Sequence, residues 1–123
     1  MQVLLVRDSV AAGDDVDAPH EQTMIIPDGL SIENIIRVVA KSGYLASIAG
    51  GKATWSVGSK MPLAVVAQEW DEPKMLLQTS IGTAQLDLVD NRLRLHFTYY
   101  GQHDPDVVYD VLRRWVHRVR HSG

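Results

Sequence analysis

Five histidines, fifteen acidic side chains and no cysteine set the chemistry open to this chain. Without cysteine there is no disulfide, no thiolate zinc site and no thiol nucleophile. His117 and His121 stand four apart, the spacing that lets two imidazoles on a helix share a metal. No third ligand is evident, and the Glu of the helical zinc-protease motif is missing between them. In the last turn of a helix both have a simpler role, as cations against the negative end of the helix dipole. His20, His96 and His103 offer acid or base groups but form no pair at a telling spacing. Ser, His and Asp are all present, yet no Gly-x-Ser-x-Gly elbow accompanies them. Gly50-Gly51-Lys52 hints at a phosphate loop. Ala46 stands where the first Gly of that loop belongs and Ala53 where its hydroxyl belongs, so the triplet reads as a tight turn. Asp14, Asp15 and Asp17 lack the Gly and Glu positions of a calcium loop. The residues therefore point to a protein that is not an enzyme and holds no metal or cofactor. A small histidine-dependent hydrolase is the alternative.

Charge is more informative. The net value is −3, but it is distributed in blocks. Residues 1–34 hold seven acids against Arg7, and residues 69–110 hold eight acids against Lys74, Arg92 and Arg94. Residues 35–68 hold four bases and no acid, and residues 111–123 carry Arg113, Arg114, Arg118 and Arg120. Acidic surface attracts basic partners and repels nucleic acid. The basic C-terminal block suits an acidic surface, or a nucleic acid together with Arg92 and Arg94, a second alternative. Trp70 lies between Glu69 and Asp71-Glu72, the composition of an anchor for a basic protein; the plainer role is an aromatic closing the core at a strand end.

These groups need elements to position them. Val3–Val6 reads as a buried strand, residues 8–22 as a polar acidic loop, and Thr23–Ile26 as a second strand stopped by Pro27-Asp28-Gly29. Ser31 caps a helix whose Ile32, Ile35, Ile36 and Val39 share one face, with Glu33, Arg37 and Lys41 on the other and Gly43 past its end. Strands are expected at Ala53–Val57, at Leu63–Ala67 in the sheet interior, and at Lys74–Gln78. Residues 69–73 form an acidic turn. Gln85–Val89 and Arg92–Phe97 alternate around Asp90-Asn91, predicting a hairpin whose wet face carries Arg92, Arg94 and His96. Asp104-Pro105 opens a last helix with Val108, Val111, Leu112, Trp115 and Val119 as its apolar stripe. Trp115 then belongs to the core, while Trp55 fits either core or surface. The expected fold is α+β, one domain over residues 1–123: an antiparallel-rich central sheet of six or seven strands with two main helices packed on it. No apolar run approaches the roughly 18 residues of a membrane span, and no secretory leader is apparent, so a cytoplasmic protein with no membrane partner is expected.

Two stretches carry a family resemblance. Tyr44-Leu45-Ala46-Ser47-Ile48-Ala49-Gly50-Gly51-Lys52-Ala53-Thr54-Trp55, with Pro62-Leu63-Ala64-Val65-Val66-Ala67-Gln68-Glu69-Trp70, resembles a block in small bacterial immunity proteins encoded beside polymorphic toxins. These include contact-dependent growth inhibition immunity proteins. The segment from Arg7-Asp8-Ser9-Val10 through Gly13 to Glu21 is similar as well, so the resemblance spans about the first 75 residues. It implies an antitoxin-like role: stoichiometric binding of a cognate toxin C-terminal domain, often a nuclease, that blocks its active site or substrate groove. A nuclease groove is basic, so acidic residues are the expected contacts. They are Asp8, Asp14, Asp15, Asp17, His20 and Glu21, with Glu69, Trp70, Asp71 and Glu72 as a second patch. Direct nucleic-acid binding is not expected on this reading.

Overall fold

The computed structural model describes residues 1–8, 20–45, 53–76, 86–90 and 92–121. Period-two alternation builds its central strand, β7 (Arg92–Tyr99), in which Leu93, Leu95 and Phe97 are fully buried while Arg94 and His96 are exposed. On one side β7 pairs in parallel with β1 (Gln2–Arg7), which pairs antiparallel with β2 (His20–Ile25). On its other side β7 pairs with β3 (Thr54–Gly58), and near its start with β6 (Asp87–Val89). Beyond β3 come β4 (Pro62–Ala67) and the two-residue β5 (Lys74–Met75), giving the order β2-β1-β7-β3-β4-β5 with β6 beside β7.

The helices cover opposite faces. Helix α1 (Ile32–Lys41) puts Ile35, Ile36 and Val39 into a core with Val3, Leu5, Trp55, Leu93 and Phe97. Ser31 caps it by accepting the Asn34 N–H at 3.2 Å. Ser42 closes the helix, and Gly43 follows at φ +87°, the left-handed conformation that glycine adopts without penalty. Helix α2 (Pro105–His121) lies on the other face, where Val108 and Val116 join Val65 and Leu76 in a second, smaller core. The Asp104 carboxylate accepts the Asp106 N–H at 2.9 Å and starts this helix. Val65 and Val66 alternate between the two cores, so β4 is covered on both faces, as its unbroken apolar run implies.

The α+β architecture with two helices on a seven-stranded sheet is as the pattern predicts, and Trp55 belongs to the core, 1% exposed. Four details differ. The polar stretch 8–22 is not all loop, because His20–Gln22 already belong to β2 and the Asp8 N–H extends the β1–β7 ladder by donating to the Phe97 carbonyl at 3.1 Å. The strand at residues 74–78 is two residues long among those described. The β1–β7 pair is parallel, since the whole intervening chain separates its members. Finally, the core-facing stripe of α2 is Val108 and Val116, both buried, with Leu112 partly buried between them. Val111 and Trp115 are 58% and 45% exposed, because the helix is rotated to seat Tyr109 and Val116 on the sheet. Gly50-Gly51 and the side chains of Val119 and His121 lie outside the described set.

Candidate protein-binding surface

Strand direction gathers the candidate residues. β3 runs antiparallel to both β7 and β4, and β1 runs parallel to β7. Strands β1, β7 and β4 therefore all end at the same end of the sheet. Asp8 follows β1 there, and the Glu69–Pro73 turn follows β4. Antiparallel β2 starts there with His20 and Glu21, and α2 starts there, just past β7, with Asp104 and Asp106. Three strand spacings separate β1 from β4, so roughly 14 Å lie between the two acidic groups. They share one end of the molecule rather than one cluster. Asp14, Asp15 and Asp17 lie outside the described residues.

Two of these carboxylates are already engaged within the fold. Asp8 Oδ2 accepts the Tyr99 N–H at 3.1 Å, and Oδ1 lies 3.2 Å from His96 Nε2. Asp8 thus fastens β1 to the end of β7. Glu72 receives Arg37 Nε at 2.5 Å and Lys41 Nζ at 3.3 Å. The hydrogen bond from Arg37 is the largest cause holding the Glu72 carboxyl below its usual range, and Lys41 adds to it. Reciprocally, the bond from Glu72 raises the Arg37 guanidinium. Glu33, 3.3 Å from Arg37 Nη2, completes an ion cluster tying α1 to the turn after β4. Glu21, Glu69 and Asp71 are exposed, and none of the three forms an ion pair among the described residues.

Trp70 takes the plainer of its two expected roles, an aromatic closing the core past the end of β4. It is half-buried against the second core, and Lys74 Nζ sits 4.3 Å from its ring centre. Lys74 also reaches Asp106 at 3.3 Å. A cavity of about 230 Å³ opens beside Trp70, lined by Leu45, Trp55, Val66, Asp71 and Glu72. The backbone of His20 pairs with Arg7 at the start of β2.

The residue types at this end conceal Arg7 and Tyr44. Arg7 follows Val3 and Leu5 on the face toward α1, by the strand's own period of two. Its guanidinium lies 5.7 Å from the Tyr44 ring centre, and its Nε is buried without a hydrogen-bond partner. Tyr44 stands edge-on to Phe97, with ring centres 6.0 Å apart. Burial pushes its phenol up to about 12; Arg7 opposes that rise and Glu21 adds to it. The alternation placing Arg7 on the core face is legible from Val3 and Leu5, but its aromatic partner, 37 residues along the chain, is not.

Among the described residues, no three His, Asp or Glu side chains converge to hold a metal ion, and no helix is long and apolar enough to cross a membrane. No protein-family model, no curated protein and no solved structure matches the chain.

Proposed function

We propose that this chain is an immunity protein, a stoichiometric inhibitor with no reaction of its own, that binds a cognate toxin domain through the acidic end of its sheet. One observation carries the reading. Strand direction brings Glu21, Glu69 and Asp71, far apart in sequence, to the same end as the N-terminus of α2 with Asp104 and Asp106. Exposed acids spread over such a surface complement a basic groove and accelerate encounter with it. A toxin that handles nucleic acid has such a groove, so a nuclease domain is the preferred partner and the cytoplasm the place of action. Asp8 and Glu72 hold the surface together, and Glu21, Glu69 and Asp71 meet the partner. The test is co-purification with the product of the neighbouring toxin gene, together with rescue of growth when that toxin is expressed. Binding that weakens when Glu69 and Asp71 are changed to Lys supports the reading. Absence of both binding and rescue refutes it.

A further inference from the structure

The two outer edges of the sheet are built differently. At one end of the strand order stands β5, two residues long and carrying Lys74, the short and charged form in which a free edge is guarded. At the other stands β2, six residues long, whose register against β1 runs without a bulge from Gln2 opposite Ile25 to Arg7 opposite His20. This strand contains neither Lys nor Pro. No described strand pairs with its outer side. Glu21, Gln22, Thr23 and Ile25 are exposed, Ile25 to 79%.

Hydrogen bonds at the end of β2 fix which backbone groups face outward. The Ile26 N–H donates to the Met1 carbonyl at 2.9 Å, and the Met1 amino group donates to the Ile26 carbonyl at 3.0 Å, so these two residues exchange both bonds. In an antiparallel ladder such pairs alternate with pairs that exchange none. His20, Gln22 and Met24 therefore turn their N–H and C=O toward β1, while Glu21, Thr23 and Ile25 turn theirs away from the sheet. Thr23 is the middle of these three. A twofold axis through Thr23 sets it against its own copy and sets Glu21 against the second copy's Ile25. Each of the three facing pairs then exchanges two hydrogen bonds. An axis through Gln22 or Met24 leaves one of the three beyond the end of the other β2.

Charge agrees with this register. Glu21 meets Ile25 rather than its own copy, and the two Glu21 positions stand four residues apart along the strands. That is about 14 Å, longer than the screening length at physiological salt. Thr against Thr is a favourable cross-strand pair, and Ile25 comes to lie beside the stem of the second copy's Glu21.

We propose that β2 pairs antiparallel with β2 of a second copy about an axis through Thr23, forming a closed dimer whose sheet is continuous through both chains. Only the main chain of Glu21 enters the ladder, and its side chain stays on the sheet face. The proposal stands independently of toxin binding.

The test follows mass against concentration for the full chain by sedimentation equilibrium, which is expected to show a monomer passing to a dimer. Thr23→Lys sets like charges face to face, and Thr23→Pro removes an outward N–H. Each should weaken the dimer at least about tenfold. Neither change removes a bond to β1, and an unchanged thermal transition shows that the variant folds. Thr23→Lys carries the test if Thr23→Pro does not fold. Thr23→Cys, in a chain with no other cysteine, should oxidise to a covalent dimer. Facing residues of a hydrogen-bonded pair have Cα atoms about 5.5 Å apart, within the reach of a disulfide. A chain that stays monomeric at millimolar concentration overturns the proposal. So does a dimer that both Thr23→Lys and Thr23→Pro leave intact, or one that Val111→Asp abolishes instead. Aggregates that grow without limit also overturn it, because a twofold pair closes on itself. A monomer whose binding to the toxin domain is lost in Thr23→Lys assigns this edge to that partner and overturns it as well.

Discussion

Glu72 and Tyr44 show how a single side chain records its surroundings. The Glu72 carboxyl sits below its ordinary value of 4.5 because Arg37 and Lys41 donate to it. Its stabilising contribution is complete above that ordinary value and is lost as pH falls through the lowered one. Glu72→Gln should therefore flatten the acid limb of the melting temperature against pH, measured by circular dichroism. Tyr44 behaves in the opposite sense. Its phenol ordinarily ionises at 10.0 and is raised to about 12 by burial. The fold holds this proton more tightly than the unfolded chain does, so the contribution is complete below pH 10.0 and is lost as pH rises toward about 12. Tyr44→Phe should reduce the loss of stability across that alkaline window in the same experiment. Neither shift is legible from composition. The sequence displays Glu72 as one of several acids, and its partner Arg37 lies 35 residues away.

At the scale of elements, local chemistry predicts the ends of helices and the faces of strands well. Ser31, Gly43 and Asp104-Pro105 punctuate the chain where their side chains or backbone freedom demand it. Replacing Gly43 by Ala meets no neighbouring atom but forces φ +87° on a side chain. It should cost about 1 kcal/mol in urea unfolding. Trp55→Ala removes a buried indole that packs 4.8 Å, centre to centre, against Tyr99. It should cost about 3–5 kcal/mol in the same assay. The terminal helix is where periodicity fails. Val107, Val111 and Trp115 form one four-residue stripe and Val108, Leu112 and Val116 form another beside it. Both satisfy an amphipathic pattern. Which one is buried depends on how Tyr109 and Asp106 grip β5, and that contact is absent from the local sequence.

For the whole molecule, the decisive feature is the common direction of β1, β7 and β4, which brings separated acids to one end. The charges are visible in the sequence, but their division into structural and exposed groups is not. Asp8 and its donor Tyr99 lie 91 residues apart. Exposed Glu69 and Asp71 should act mainly on encounter. On the proposed function, changing both to Lys should slow association with the toxin domain about tenfold and weaken its dependence on ionic strength, measured by stopped flow. Glu72→Lys should instead lower the melting temperature, because it opposes Arg37 and Lys41 within the fold. If the exposed acids bind the toxin, these two classes of variant separate cleanly.

The position of β7 also bears on how the protein is made. Strands β2 and β1 lie to one side of it and β3, β4 and β5 to the other, so β7 is the only bridge between the two halves among the described residues. Synthesis runs from the N-terminus, and β7 emerges from the ribosome after the other described strands of its sheet, followed by α2. Until then β1 has no inner neighbour, and the apolar sides of both halves await their shared wall. A nascent chain stalled before Tyr99 therefore leaves the apolar sides of both halves open to solvent, and the sheet closes only once β7 has been made.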